Sequence, residues 1–453
     1  MEYFKLKENG SDVKREVIGG ITTFLTMAYI IAVNANILGD PAVGMPASAV
    51  VTVTCLIAAF ATILMGLYAN LPFALAPGMG LNAFFAYTVV IGMKIPWQVA
   101  LAAVFVEGII FIILSLTNVR EAVVNAIPTT LKFAVTAGIG LFIAFIGFVN
   151  AGIVIMNKDT LVSMGSFTSP TVLITVVGVI IIVVLSKKRV KGAILWGIVA
   201  STAIAWIYAT ISPEAAATYR IGTPDGIIRF ESIAPIANKM DFSYVTDPKM
   251  IWKFVVIILT FLFVDFFDTV GTLVGVASKV GMVDKDGKVK NAGRALLVDA
   301  VGTTFGAFLG TSTVTTFVES SAGVAEGART GLASVVTGIL FLVAMFFAPL
   351  FTAIPSSATA PALIIVGFFM MENITKIDFS DFTEGVPAFL TIALMPLTYS
   401  IGDGLTIGIL SYAVLNFVNN IFTKDPSKRK KVSIVIYILA VVFIIKLIVT
   451  GSH

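Results

Sequence analysis

Apolar stretches of about twenty residues follow one another along almost all of this 453-residue chain, each close to the length a helix needs to cross the hydrocarbon core of a bilayer. Helices are expected at about 17–38, 47–69, 73–91, 95–117, 131–155, 170–186 and 192–211. A polar connection at 212–250 separates them from a second series at about 251–278, 292–309, 311–326, 331–350, 356–371, 385–398 and 402–421. A further apolar run at 432–449 either crosses the bilayer or packs along it. Lys and Arg number 30 and Asp and Glu 26, or 12% of the chain, against roughly a quarter in soluble proteins, while apolar residues reach 58%. So few charges cannot cover a soluble surface, which excludes a cytosolic enzyme and a nucleic-acid binder. The expectation is an all-α polytopic membrane protein with fourteen transmembrane helices.

Cys55 is the single cysteine, so neither a disulfide framework nor a Cys-ligated metal is expected. The one histidine, His453, ends a Gly451-Ser452-His453 stretch that looks like a cloning remnant. No cofactor or metal is expected, and proton chemistry must run through carboxylates. The first apolar segment follows Lys5, Lys7, Lys14 and Arg15 and is too long for a signal peptide, so it reads as a retained helix.

Loop charges set the orientation. With the N-terminus in the cytoplasm, the clusters Lys187-Lys188-Arg189 with Lys191, Lys279 to Arg294, and Lys424 to Lys431 all fall inside, as the positive-inside rule requires. The 212–250 connection then lies outside the cell membrane, its basic Arg220, Arg229, Lys239 and Lys249 offset by acidic neighbours.

The two series of helices echo each other. Thr23-Phe24-Leu25 in the first matches Thr260-Phe261-Leu262 in the second, and Ala126-Ile127-Pro128 precedes the fifth helix much as Ala353-Ile354-Pro355 precedes the twelfth. Seven helices is an odd number, so a repeated half must be inverted. The third segment of each half is interrupted, a pattern that points to a secondary transporter with its site near the bilayer midplane. The first interruption is Leu71 to Ala83, where Pro77 lacks an N–H and Gly78 and Gly80 permit unusual backbone angles. The second is Gly310 to Gly323, where Thr311, Thr313 and Thr315 alternate as in a strand. Strand backbone cannot face lipid unpaired, so it must be buried in protein or line a cavity. Glu319 falls at the start of the helix that follows, where free N–H groups carry partial positive charge.

The eighth helix carries Asp265, Asp268, Thr269 and Thr272 at i, i+3, i+4, i+7 spacing, which puts them on one face. A carboxylate at the bilayer centre costs ~2.5–3.5 kcal/mol on insertion scales, so such a face must meet a wet cavity, a partner or a transported ion. One acid of the pair is read as a cap for a neighbouring broken helix. Glu107 and Asp299 read as partners of polar groups across helix contacts, Glu326 and Arg329 as a solvated ion pair, and Asp403 as a cap or near-cap. Phe266, Phe267 and Phe317 are the aromatic residues near enough to stack on a ligand.

Three stretches carry a resemblance: Ala76-Pro77-Gly78-Met79-Gly80-Leu81-Asn82-Ala83, Asp265-Phe266-Phe267-Asp268-Thr269, and Gly310 through Ser320. Over about 2–422 the chain resembles the nucleobase:cation symporter-2 superfamily, specifically its AzgA-like hypoxanthine/guanine/adenine permeases. The resemblance implies a seven-plus-seven inverted repeat: 1–211 as the first repeat, with core helices one to four and gate helices five to seven; 251–422 as the second, with core helices eight to eleven and gate helices twelve to fourteen; and 423–453 as a basic segment with a terminal hydrophobic helix. It also implies that Asp265 binds the purine and Asp268 positions and couples. Glu319 would hydrogen-bond the base beside the N–H groups of Phe317, Val318 and Ser320, and Asn82 would be the polar residue at the third-helix break.

The chemistry agrees: carboxylates accept from ring N–H groups, and helix-start N–H groups donate to ring nitrogens or an oxo oxygen. The expected partners are a purine, a proton with sodium as the alternative coupling ion, and the lipid bilayer; monomer or homodimer is left open. The alternatives are an anion (sulfate-type) or uracil/xanthine transporter of the same fold, a channel, and an intramembrane enzyme. The last would need a nucleophile–base pair that the sequence lacks.

Overall fold

The computed structural model describes residues 3–117, 127–279, 291–423 and 429–450, with the side chains of 267, 268, 270–279, 445, 446 and 448–450 outside that description. The readings of Asp268, Thr272 and Phe267, and of the basic residues 279–290, 424 and 428, therefore lie outside the described residues.

Nine helices among the described residues are long and apolar enough to cross a membrane. Met79–Gly92, Gly331–Ala344 and Phe382–Leu397 are shorter apolar helices. Several expected segments are subdivided. The first is Val13–Met27 and Tyr29–Leu38, parted at Ala28, and the second ends in a π-helical turn, Met65–Ala69. The 331–350 segment ends at Ala344 and resumes as the short Ala348–Thr352 turn. Helix Thr129–Ala151 stops four residues before the expected 155, because Gly152 takes a left-handed φ of 77° and the apolar run continues as an exposed hairpin, Val154–Asn157 with Leu161–Met164. The expectation of helices alone missed this hairpin.

Packing sorts the helices into two groups. In one, Thr129–Ala151 packs on Ser356–Met371 and Phe382–Leu397, the last also on Ile401–Phe422, while Pro170–Lys187 and Ala193–Ile211 pack on each other and on Ser356–Met371. In the other, Trp97–Leu116 packs on Ala292–Leu309 and Ile251–Lys279, and Val13–Met27 and Ala47–Leu64 both pack on Gly331–Ala344. Glycines set the closest approaches: a Cβ on Gly331 would stand 1.9 Å from the Gly66 carbonyl oxygen, and one on Gly367 would stand 2.4 Å from that of Gly140. Small residues let membrane helices meet backbone to backbone, where packing rather than water exclusion drives association.

Two peripheral segments dock on these groups. The 212–250 connection docks by its backbone, with the N–H groups of Arg229, Asn238 and Asp241 donating to the carbonyls of Phe346, Phe308 and Gln98. The terminal helix Ile434–Thr450 lies with Phe443 edge-on to Phe263 at 5.4 Å and Tyr437 near Phe417 at 6.4 Å. Lys430, just before it, pairs with Asp381 at 2.6 Å and Glu384 at 2.9 Å at the start of Phe382–Leu397.

Candidate functional site

The two interrupted segments meet in the middle of the second group of helices. Leu75–Pro77 and Val314–Thr316 form an antiparallel pair in the register Leu75↔Thr316, Ala76↔Thr315 and Pro77↔Val314. The ladder is closed at both ends by main chain: the Gly78 N–H donates to the Thr313 carbonyl at 3.0 Å and the Phe317 N–H to the Ala74 carbonyl at 2.9 Å. Pro77 supplies no N–H, which breaks the helix and leaves the segment free to extend. All six paired residues are buried. Each broken chain thus satisfies the other's polar groups in a place where water cannot, the condition for irregular backbone at membrane depth.

Each strand is also clasped by a threonine of the helix that precedes it. Thr62 donates its hydroxyl to the Leu75 carbonyl at 3.0 Å and accepts from the Leu75 N–H at 2.9 Å. Thr303 treats Val314 the same way, at 3.1 and 3.2 Å. The chain entering the first break is held by Ser334, whose hydroxyl lies 2.7 Å from the Leu71 carbonyl and 3.0 Å from that of Phe73.

Short helices leave the crossing on either side, Met79–Ala83 continuing as the π-helix Phe84–Gly92, and Ser320–Ala325. Gly78 has an ordinary extended φ of −72° and Gly80 is helical, so the two glycines serve space rather than unusual angles. A Cβ would stand 2.8 Å from Thr315 Oγ1 at Gly78 and 2.7 Å from Ile139 Cγ2 at Gly80.

The expected site residues divide by what they touch. Glu319 sits at the N-cap position of Ser320–Ala325, partly exposed, with its Oε1 accepting from the Tyr29 hydroxyl at 2.5 Å. Val318 beside it is 46% exposed, while Phe317 and Phe266 are buried. Asn82 is buried and braced, its Oδ1 accepting from the Ser312 hydroxyl and its Nδ2 donating to the Pro77 carbonyl at 3.3 Å. Ser320 accepts from the Ala74 N–H through its hydroxyl at 2.9 Å, and its own N–H donates to the Phe317 carbonyl. The N–H groups of Phe317 and Ser320, expected to face a ligand, are therefore engaged within the crossing.

Asp265 is buried, with Oδ1 3.0 Å from the Thr269 hydroxyl, which is also 3.0 Å from Asp299 Oδ2 on the neighbouring helix. One hydroxyl supplies one proton and can donate to only one of the two carboxylates at a time. Glu107, on Trp97–Leu116, accepts from Thr313 Oγ1 at 2.9 Å and so reaches the residue just before the second strand. Glu326 pairs with Lys191 at 2.7 Å, and Arg329 donates to the Val324 and Ala328 carbonyls, so the expected Glu326–Arg329 pair is replaced by separate contacts. Ser400 caps the last long helix by accepting from the Asp403 N–H at 3.2 Å, which leaves Asp403 in the first turn.

Sequence reasoning passed over Tyr29, Thr62, Thr303 and Glu16. Glu16 is buried and accepts from the N–H groups of Arg329, Thr330 and Ala333, capping helix Gly331–Ala344. Tyr29 had one available signal: a phenol directly after the Met27-Ala28 end of a helix, in an otherwise aliphatic run. Among the described residues no cluster of three His, Cys, Asp or Glu could hold a metal ion.

Over residues 14–406 the chain matches the Xan_ur_permease model, described as a permease family. It belongs to this family of nucleobase:cation symporter-2 permeases. The permease is 46% identical to the guanine/hypoxanthine permease PbuG of Bacillus subtilis, over 98% of this chain and 98% of that one. It is 40% identical to the adenine permease AdeP of Escherichia coli, over 99% of this chain and 96% of that one. Its fold is that of the transmembrane domain of the cyanobacterial bicarbonate transporter BicA, with a TM-score of 0.66 at 15% identity over 87% of this chain and 97% of that one. A transmembrane transporter, not an enzyme, follows from family membership.

Proposed function

We propose that this permease imports purine nucleobases, hypoxanthine, guanine or adenine, in symport with protons, by moving a core domain against a gate domain. The observation that carries the reading is the crossing of two severed helices with the Glu319 carboxylate at the start of one of them, turned toward Tyr29. A carboxylate there accepts from a ring N–H, and the exposed edge at Val318 gives a ligand access to it. Phe317 and Phe266 are the rings proposed to cover the flat face of the base. Asn82 and Ser320 hold the crossing in shape, and Pro77, Gly78 and Gly80 make it sterically attainable.

Asp265, Asp268 and Glu319 are the proposed coupling acids. The Thr269 hydroxyl shared by Asp265 and Asp299 supports the role of Asp265, since a pair of carboxylates around one donor is a place where a proton can be taken up and passed on. Purine relatives of high identity support the substrate class, whereas the likeness to a bicarbonate transporter carries the fold alone.

The matching Thr62 and Thr303 clasps support the inverted repeat of fourteen helices, with 1–211 and 251–422 as its halves. So do Pro128 and Pro355, each at the N-cap of a helix that opens the second part of its half. The helices around the crossing are the proposed core, and those gathered on Thr129–Ala151 and Ser356–Met371 the gate.

The test is uptake of radiolabelled hypoxanthine by proteoliposomes under an inward proton gradient. Wild type is expected to accumulate the base and to lose accumulation when the gradient is collapsed, with sodium unable to replace it. Glu319→Gln and Asp265→Asn are each expected to abolish gradient-driven accumulation; full retention by either sinks the assignment.

A further inference from the structure

Asp403 is an acid that the proposed central site leaves unused, and it lines a cavity of about 670 Å³. Phe84, Tyr87 and Thr88 form one wall, Thr260 another, and Tyr399 and Asp403 a third at the turn between the last two long helices of the gate group. Its lining starts at Phe84, directly after the short helix Met79–Ala83, and runs along Phe84–Gly92 as far as Met93. The cavity thus begins beside the crossing and extends away from it to the far end of the helix that leaves it.

This space is walled by positioned groups. Phe84–Gly92 winds as a π-helix, a rare geometry found frequently at functional sites. Tyr399 takes a left-handed φ of 55°, and its carbonyl accepts from the Thr88 hydroxyl at 3.0 Å. Its ring is wedged edge-on between Tyr87 at 6.0 Å, Phe142 at 5.6 Å and Phe145 at 5.7 Å. Asn150 donates to the Tyr87 hydroxyl at 3.2 Å, fixing that ring as well. The lining contains one carboxylate and neither Lys nor Arg, which disfavours an anion. Its volume falls within the ~300–1,000 Å³ of small-molecule sites, and rigid aromatic walls suit a flat ligand better than a bare cation.

We propose that this cavity is a second, outer binding subsite for a neutral planar heterocycle with N–H donors, stacked against the tyrosines and hydrogen-bonded to Asp403. The inference rests on the purine-transport reading, since a purine is the ligand of that class. It assigns two bases to each chain at saturation, one waiting outside the crossing while another is carried.

Equilibrium binding of tritiated hypoxanthine to the purified full-length chain in nanodiscs tests this. The expected stoichiometry is two per chain for wild type, one for Glu319→Gln, one for Asp403→Asn and none for the double variant. In the Glu319→Gln background, Tyr399→Leu is expected to weaken the remaining site at least tenfold while the protein stays monodisperse. A single site in wild type that Asp403→Asn leaves intact overturns the outer subsite, as does complete loss of binding in Glu319→Gln. Displacement by sodium but not by unlabelled purine overturns it in favour of a cation site. Absence of any purine binding by wild type overturns the transport reading, and this inference with it.

Discussion

At the scale of single residues, the acids in this protein are distinguished by what surrounds them rather than by their depth. Glu319 has a phenol as its near partner, and Tyr29→Phe removes that donor without changing the carboxylate. A hydrogen bond to a charged group is worth ~1.5–3 kcal/mol, so hypoxanthine uptake efficiency is expected to fall about tenfold or more. Unchanged uptake would mean that the phenol does not orient Glu319 for the base. The sequence made Asp265 stand out because two acids share one face of an apolar helix, and Glu319 because it opens the helix that follows an interrupted segment. Glu16 escaped notice for the opposite reason: it lies in the first turn of a helix next to Lys14 and Arg15, where an acid reads as solvated. Only the folded chain brings the N–H groups of Arg329, Thr330 and Ala333 onto it.

At the scale of elements, the interruptions were legible and their partnership was not. Pro77 and the alternating threonines mark extended backbone, but no local signal says that one strand lies antiparallel to the other. Thr62 and Thr303 were equally silent, because a threonine in an apolar helix commonly bonds back to its own preceding turn. Here each turns outward to clasp a strand at both its N–H and its carbonyl. Replacing either by valine keeps the shape and orphans two buried backbone groups, at ~1–3 kcal/mol for each group. Thr62→Val and Thr303→Val should therefore each lower the melting temperature of the purified protein by a similar amount. A large effect at one and none at the other would contradict their equivalence. The expected helix at 131–155 runs into the first strand of the hairpin because Ile153 to Met156 continues the apolar run past Gly152, and periodicity alone does not tell helix from strand there.

At the scale of the whole molecule, the terminal helix spans both packing groups, and its anchor is electrostatic. The Lys430 ammonium hydrogen-bonds Asp381 and holds its carboxyl below the usual carboxylate range. A depressed folded value means that the stabilisation is complete above the ordinary carboxylate pKa, ~3.9, and disappears only as pH falls through the lower folded value. Between pH 5 and 8 this anchor is therefore constant. Lys430→Met is expected to lower thermal stability to the same extent at pH 5.5 and 7.5 and to leave the shape of the pH–uptake profile unaltered. A shifted profile would bring this cluster into proton coupling.

The crossing at Leu75–Pro77 and Val314–Thr316 has a consequence for how such a chain tolerates change over generations. Side chains on paired strands alternate between faces, so a slip of one place exchanges the faces of every residue in the pair. A single codon gained or lost between Leu71 and Gly78 would slide the first strand past the second and pull Leu75 off Thr62. Substitutions can accumulate independently in the two halves, but their lengths at these two points are locked to each other.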